Sequence, residues 1–290
     1  MALFDQVTDG WLELLAASPA FLKAIAFFVV WAGLWLPIVI PLATLLNWRP
    51  PQPLTTKQKL PLLASLYLIA PLIVWGASFV EGASFSDYGV QTQNLTSLLI
   101  SLGLGLSLAL LGLTLVFGIQ WTLGWVDWHG ENIGRLIPIL LPILLLALWI
   151  SGTEELIFRG FLLNKFQQDY STWVAGAIAS LIFALLHLVW EREETLPQVP
   201  GLWLMGMVLT LARLLDGGSL GLACGLHAGW IWGLSCLDTA QMITYTGIGA
   251  KLLTGIAEKP LAGVAGILCL LGTGVVIKLL YMGIPLFSMH

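Results

Sequence analysis

Long apolar runs divide this 290-residue chain into segments of the length needed to cross a lipid bilayer. A transmembrane helix needs about 20 mostly apolar residues to cross a hydrocarbon core about 30 Å thick. The runs predict about eight spanning helices, separated by Pro-rich or charged connectors such as 49–53 and 191–194. The pattern therefore predicts an all-α, polytopic transmembrane helix bundle, formed as a single domain over residues 21–290. The predicted spans cover residues 21–46, 60–80, 95–117, 136–166, 173–190, 202–215, 220–237 and 261–282.

Residues 1–20 have a different pattern from the spans. Their apolar positions recur at helical spacing, and their only charged side chains are those of Asp5, Asp9 and Glu13. The basic n-region of a signal peptide is therefore missing. The spacing predicts a short amphipathic helix that lies in the membrane interface before the first span.

The composition supports the membrane assignment. Hydrophobic residues make up 58% of the chain and charged residues 10%, with a net charge of −4, whereas a soluble domain has about 25% charged residues. The mean hydropathy is +0.91. These values exclude a soluble globular enzyme and a disordered chain, and the missing basic surface excludes a nucleic-acid partner. Membrane lipid is the first predicted partner.

The fourth predicted span carries two adjacent carboxylates deep in an apolar segment. Glu154 and Glu155 follow an uncharged run of fifteen residues, 136–150, and the apolar pattern resumes after Arg159. At 100° per residue, Glu155 and Arg159 share a helix face and can form an ion pair, while Glu154 points elsewhere. Glu154 is then free to point into the bundle. Desolvation there favours its protonated form, which suits this carboxyl group to proton transfer. The alternative is a purely structural network of all three groups.

Two histidines lie in later predicted spans. His187 follows Phe183 by four residues in the fifth span, and His227 lies in the seventh. At about 1.5 Å per residue, measured from the connecting turns, Glu154 and both histidines fall in one layer of the membrane. Such a set could hold an activated water molecule, or a zinc ion with an open fourth position.

The distribution of Lys and Arg predicts the orientation of the bundle. With the N-terminus outside, most basic residues next to the spans fall in cytoplasmic loops, as the positive-inside rule requires. The layer of ionisable groups then lies towards the cytoplasmic face of a bacterial-type plasma membrane. The predicted cytoplasmic residues are Arg49, Lys57, Lys59, Arg135, Arg192, Lys251 and Lys259.

At these residues the sequence resembles the CPBP family, also called the Abi family, of CAAX-type prenyl-protein endopeptidases and bacteriocin-processing or immunity proteins. The family pattern is E-E-x-x-x-R, then F-x-x-x-H, then H-x-x-x-N or H-x-x-x-D, on successive membrane helices. The matching residues are Glu154, Glu155 and Arg159, then Phe183 and His187, then His227. The motifs lie within residues 154–235.

The resemblance implies an intramembrane endopeptidase acting on a membrane-associated peptide or a prenylated protein. In this interpretation Glu154 is the general base on a water molecule. His187 and His227 position the water, bind a metal ion or stabilise the oxyanion, while Glu155 and Arg159 hold Glu154 in place.

One position departs from the family pattern. Four residues after His227, the chain has Ile231 where the family has Asn or Asp. In the family this side chain helps to bind the oxyanion or to orient the water, and isoleucine has no donor. The candidate replacements are the indole N–H groups of Trp230 and Trp232, and the hydroxyl of Ser235 two turns along on the same face.

Other functions remain open at this point. The departure at Ile231 favours a catalytically weak or inactive family member that acts as a membrane scaffold or immunity protein. A transporter, or a pigment or haem protein with His187 and His227 as axial ligands, is the third possibility. The motifs of serine, aspartyl and H-E-x-x-H intramembrane proteases are absent from the sequence.

Overall fold

The computed structural model describes residues 17–49, 52, 54–91, 93–189 and 192–283. In this part of the chain, eight long helices form an all-α bundle, as predicted. The helices are α1 (Ala20–Leu45), α2 (Thr56–Glu81), α3 (Leu95–Thr122), α4 (Leu140–Glu155), α5 (Thr172–Leu186), α6 (Val199–Leu215), α7 (Gly221–Thr239) and α8 (Val264–Gly283). The predicted interfacial helix over 1–20 lies almost entirely outside the described residues.

Seven of these helical regions are long and apolar enough to cross a membrane, which makes the chain a multi-pass membrane protein. The predicted span at 220–237 corresponds to α7, which is not among the seven. Nine of the first ten residues of α7 are buried. Because neighbouring helices surround it, α7 has less need of the apolar surface that a lipid-facing helix presents.

The shorter elements lie in the connections between the long helices. Strands β1 (Val126–Trp128) and β2 (Ile243–Tyr245) pair antiparallel and join the ends of α3 and α7. The remaining helical turns are Gly130–Asn132, Ile133–Leu136, Ile137–Ile139, Leu163–Phe166, His187–Val189, Arg192–Thr195, Leu196–Gln198, Lys251–Thr254, Ile256–Glu258 and Pro260–Ala262.

Local signals set several helix ends. Helix α2 begins with a capping box between Thr55 and Gln58, and ends at Gly82 in the left-handed conformation (φ 63°). The side chain of Asn94 accepts a hydrogen bond from the backbone N–H of Ser97 at the start of α3. Both ends of α2 and the start of α3 therefore follow capping rules that can be read from the sequence.

The chain changes its helical hydrogen bonding immediately after Glu155. Residues Leu156–Leu162 form a π-helical segment, and all seven are buried. One further α-helical turn, Leu163–Phe166, completes the fourth predicted span. Short π-helical segments are rare and often occur at functional sites, because the widened turn reorients side chains and backbone groups.

Helices α3 and α7 cross closely because glycines face each other at the crossing. A Cβ atom built on Gly225 would overlap the carbonyl of Leu102, and one built on Gly105 would overlap the backbone of Leu222. Small residues are common where membrane helices pack backbone to backbone. The crossing fixes the height of α7, and with it the position of His227.

Substitution of Gly225 by alanine should destabilise the bundle, because the added methyl group has no room against the backbone of α3. We expect a loss of about 1–3 kcal/mol, the usual cost of overpacking, seen as a lower thermal unfolding temperature in detergent. Gly118→Ala is the matched control, since a Cβ there meets nothing within 4 Å. Equal melting temperatures for the two variants would contradict the packing argument.

Candidate active site

The two adjacent glutamates lie at the end of α4, in the interior of the bundle. Glu154 is 6% exposed and Glu155 is fully buried. Their side chains have different partners. Glu155 Oε1 accepts from Arg159 Nη1 at 3.0 Å, so the predicted ion pair is present. Glu154 Oε1 accepts from the hydroxyl of Tyr67 on α2.

His227 on α7 lies between the two glutamates. Its Nδ1 is 2.7 Å from Glu155 Oε1, and its Nε2 is 3.6 Å from Glu154 Oε2. The second distance is longer than a direct hydrogen bond. Because an ionised carboxylate can only accept, Nδ1 donates to Glu155, and the opposite ring nitrogen faces Glu154. Glu155 therefore fixes the orientation of the imidazole.

Two arginines balance the two glutamates within the bundle. Arg159 is fully buried, and Arg213 on α6 is 6% exposed. Arg213 Nη1 donates to the main-chain carbonyl of Arg159, inside the π-helical segment, and its Nε donates to the carbonyl of Gly218 at 3.1 Å. Buried charges are tolerated when they are paired and hydrogen-bonded. Arg213 thus connects α6 to the segment that carries the site.

Phe183 on α5 connects the arginine with both histidines. The guanidinium carbon of Arg159 lies 4.5 Å from the centroid of the Phe183 ring, a cation–π contact. The same ring lies 4.5 Å from the ring of His187 and 5.8 Å from that of His227, between centroids. The family-type motif residues on three helices therefore form one continuous cluster.

His187 occupies a more peripheral position than His227. Its Nδ1 lies 2.8 Å from the main-chain carbonyl of Phe183, and its side chain is partly exposed. The contacts of the described residues include none between His187 and Glu154, so His187 reaches the cluster through the Phe183 ring. Its Nε2 is the ring nitrogen not used in the bond to Phe183.

The side chains present do not fit a metal site as they are placed. Within residues 17–49, 52, 54–91, 93–189 and 192–283, no group of three His, Cys, Asp or Glu side chains could hold a metal ion. Of the candidate ligands, His227 Nε2 lies 3.6 Å from Glu154 Oε2, while the contacts of the described residues include none that joins His187 to Glu154. His227 also uses Nδ1 for Glu155. The side chains alone therefore supply the groups available for chemistry at the site.

The two tryptophans next to Ile231 have different surroundings. The indole N–H of Trp232 donates to the carbonyl of Leu140 at 2.9 Å. This hydrogen bond engages the indole N–H of Trp232 at the start of α4, and whether Trp232 replaces the missing family amide stays a prediction. Trp230 is buried, at 6% exposed, and Ile231 is half-buried.

Sequence reasoning missed two residues of the cluster. Tyr67 belongs to no motif, and 87 residues separate it from Glu154. Arg213 did give a signal, because a charged residue inside an apolar span is a functional hypothesis in its own right. A charged residue in the short span predicted over 202–215 indicates a helix that is tilted or partly buried in protein. The structure buries Arg213 and gives it partners in the π-helical segment and at Gly218.

Several buried polar atoms at the cluster have no hydrogen-bond partner in the described part of the chain. They are Glu154 Oε2, Glu155 Oε2, Arg159 Nε, Arg159 Nη2 and Ser180 Oγ. Buried polar atoms in folded proteins almost always have partners. Here unpartnered hydrogen-bond donors and acceptors lie close together. We therefore expect water molecules or a polar group of the substrate to bind among them.

The fold and this cluster define a multi-pass membrane protein with a buried glutamate–histidine–arginine site. Residues 135–233 match the family model described as "Type II CAAX prenyl endopeptidase Rce1-like". The match covers all three motifs, which confirms the predicted resemblance.

One curated relative is similar to part of the chain. An uncharacterized 24.3 kDa protein of Escherichia coli is 35% identical over 92 residues, which is 31% of this chain and 40% of the relative. The similarity to that protein thus spans less than half of its length. No solved structure matches the chain.

Proposed function

We propose that this chain is an intramembrane endopeptidase of CAAX-protease type, in which Glu154 activates a water molecule. The observation that carries the proposal is the surroundings of Glu154. Its carboxylate is buried in an apolar bundle, and Oε2 has no hydrogen-bond partner among the described residues while it faces the imidazole of His227. A general base must lie within hydrogen-bonding reach of the proton that it removes.

The reaction follows from these groups. Glu154 removes a proton from water, and the water oxygen attacks the carbonyl carbon of the peptide bond. The carbonyl oxygen takes up negative charge in the tetrahedral intermediate. When the C–N bond breaks, Glu154 returns the proton to the departing nitrogen. His227, held through Nδ1 by Glu155, directs Nε2 towards the water.

His187 and His227 both contact the Phe183 ring. In the proposal His187 contacts the substrate chain where the chain enters the cluster, since its side chain is the partly exposed one of the two histidines. A water-excluding site in a low-dielectric bundle strengthens each of these electrostatic contacts.

Tyr67 supplies a hydroxyl donor in contact with Glu154, the proposed general base. Ile231 provides no donor, and the indole of Trp232 is bound to Leu140. The hydroxyl of Tyr67 already donates to Glu154, so it lies next to the position where the oxyanion would form. In the proposal, Tyr67 holds Glu154 in the resting enzyme and donates to the oxyanion during the reaction.

Replacing Tyr67 with phenylalanine should lower kcat by a factor of about 10²–10³, the usual cost of one oxyanion donor. KM should change little, because the donor acts on charge that exists only in the transition state. The measurement is steady-state cleavage of a peptide by purified protein in detergent. Tyr170→Phe, at an exposed tyrosine on the turn before α5, is the control. An unchanged kcat for Tyr67→Phe would refute this role.

The substrate class is tested by comparing a peptide with and without a prenylated cysteine near its C-terminus. Product masses identify the bond that is cleaved. Faster cleavage of the prenylated peptide supports the CAAX type, while equal cleavage of both supports a more general membrane-peptide protease. If neither is cleaved, the protease proposal fails.

The presence of Ile231 favours a second candidate function, a family member that has lost turnover and acts as a membrane scaffold or immunity protein. The Ile231→Asn variant distinguishes the two. If Tyr67 covers the oxyanion, the added amide should change the rate little or raise it, by a factor of up to about 10². The double variant with Glu154→Gln should be inactive. If neither the wild type nor the Ile231→Asn variant cleaves the peptide, the result favours the scaffold.

A further inference from the structure

A long apolar groove lies between α1 and α2, away from the glutamate cluster. Its cavity volume is about 970 Å³, near the upper end of the range of about 300–1,000 Å³ for small-molecule sites. Its walls include Val30, Leu34 and Ile38 from α1, and Leu72 and Gly76 from α2. Val30, Leu34, Ile38 and Leu72 are each 45–64% exposed, so the groove opens on the lipid-facing surface of the bundle.

One end of the groove is polar and carries a positive charge. Lys165 forms an ion pair with Glu81, which also accepts from the hydroxyl of Tyr88 at 2.9 Å. Burial raises the pKa of Tyr88, and the negative charge of Glu81 raises it further. The hydroxyl of Tyr88 therefore stays protonated and can donate to Glu81. Lys23 donates to Gln168 Oε1 at 2.8 Å. Among the described residues, Lys23 has no carboxylate partner.

The dimensions of the groove suit a lipid tail. Lys23 and Ile38 are 15 positions apart on α1, which corresponds to about 22 Å along the helix axis. One leaflet contributes half of a hydrocarbon core about 30 Å thick, or about 15 Å, so the groove is long enough to hold one acyl chain. Lys23 lies three residues after the start of α1, where a lysine head can reach the membrane–water interface.

We propose that this groove binds an anionic phospholipid, with one acyl chain between α1 and α2 and the headgroup phosphate at Lys23. Charge complementarity selects this occupant. The polar end of the groove carries two lysines and one carboxylate, and that carboxylate is already shared by Lys165 and Tyr88. Among the lining residues, the positive charge of Lys23 remains for an anion at the interface. Asp169, whose Oδ2 accepts from the backbone N–H of Ala20 at 2.6 Å, is not part of the lining. The site is independent of the proposed protease reaction.

The test measures retained lipid on the purified full-length protein by native mass spectrometry. The two probes are phosphatidylglycerol and phosphatidylcholine with identical acyl chains, added in equal amounts. We expect the wild type to retain phosphatidylglycerol about fivefold better, which corresponds to the ~1 kcal/mol that one lysine near the surface contributes to binding anionic lipid.

Two variants separate the tail from the headgroup. Gly76→Phe fills the groove, since a Cβ there meets nothing within 4 Å, and should reduce retention of both lipids. Lys23→Gln should abolish the preference for phosphatidylglycerol while tail binding persists. Gly118→Phe on α3 and Lys57→Gln at the opposite end of α2 are the matched controls and should behave as wild type.

Each remaining outcome overturns the proposal. Equal retention by wild type and Gly76→Phe places the lipid elsewhere on the protein. A preference that survives Lys23→Gln removes the headgroup assignment. If the wild type retains neither lipid, the groove is covered by something other than lipid, such as a second copy of the chain. Melting temperatures of all variants, measured in the same detergent, ensure that folded proteins are compared.

Discussion

Glu154→Gln should abolish peptide cleavage while the protein remains folded and inserted. The amide keeps the size of the carboxylate, and its oxygen can still accept from the hydroxyl of Tyr67. It cannot take a proton from water at neutral pH. General acid–base catalysis contributes a factor of about 10²–10⁴, so the rate should fall by at least that range.

The measurement is single-turnover cleavage by purified protein, with the melting temperature recorded on the same sample. Glu193→Gln is the matched control, because Glu193 is exposed in the connection before α6 and should keep full activity. If Glu154→Gln retains the activity of the wild type, another group activates the water. If instead it fails to fold, Glu154 belongs to the structural network rather than to the reaction.

The sequence was sufficient for the bundle because lipid imposes a simple rule on the chain. Each span must satisfy its own backbone hydrogen bonds and present apolar side chains, so runs such as 95–117 are readable directly. The observed ends of the helices differ from the predicted ones where a local turn interrupts the helix. Helix α8 begins at Val264 rather than at 261, because Pro260–Ala262 forms a separate turn before Gly263.

The division between the two glutamates was also predictable, since the pairing of Glu155 with Arg159 needs only helical spacing. Two features of the cluster were not. The π-helical segment Leu156–Leu162 is apolar apart from Arg159 and Gly160, and this composition does not distinguish a π-helix from an α-helix. Tyr67 comes from a distant helix, and its contact with Glu154 depends on how α2 packs against α4.

Only part of the predicted set lies together in the structure. A rise of 1.5 Å per residue places Glu154, His187 and His227 at one height, but height says nothing about position around the bundle. The structure places His227 against both glutamates, while His187 contacts the Phe183 ring and neither glutamate among the described contacts. This lateral arrangement depends on close crossings such as that of α3 and α7, which a single sequence does not reveal.

Glu155→Ala should cause the largest loss of stability among the variants of the cluster. Glu155 and Arg159 are both fully buried and 3.0 Å apart. Removing one partner leaves the charge of the other uncompensated inside the bundle, which costs about 3–5 kcal/mol. His227 loses its Nδ1 partner as well, so activity should fall together with stability.

The matched control is Glu194→Ala, because Glu194 pairs with Lys259 at 3.1 Å on the surface. Exposed ion pairs contribute about 0–1 kcal/mol, so this variant should unfold almost like the wild type. Denaturant unfolding in detergent, followed by tryptophan fluorescence, measures both. A similar loss in the two variants would mean that the buried position of Glu155 does not determine its contribution.

A double variant distinguishes an unpaired charge from lost packing. Glu155→Ala combined with Arg159→Met removes both charges and keeps an apolar side chain of similar length against the Phe183 ring. Buried ion pairs can be replaced by apolar residues at little cost, while a single unpaired charge cannot remain buried cheaply. The double variant should therefore be more stable than Glu155→Ala alone. If it is less stable, by the sum of the two single effects, the residues act independently and the ion pair does not hold the site together.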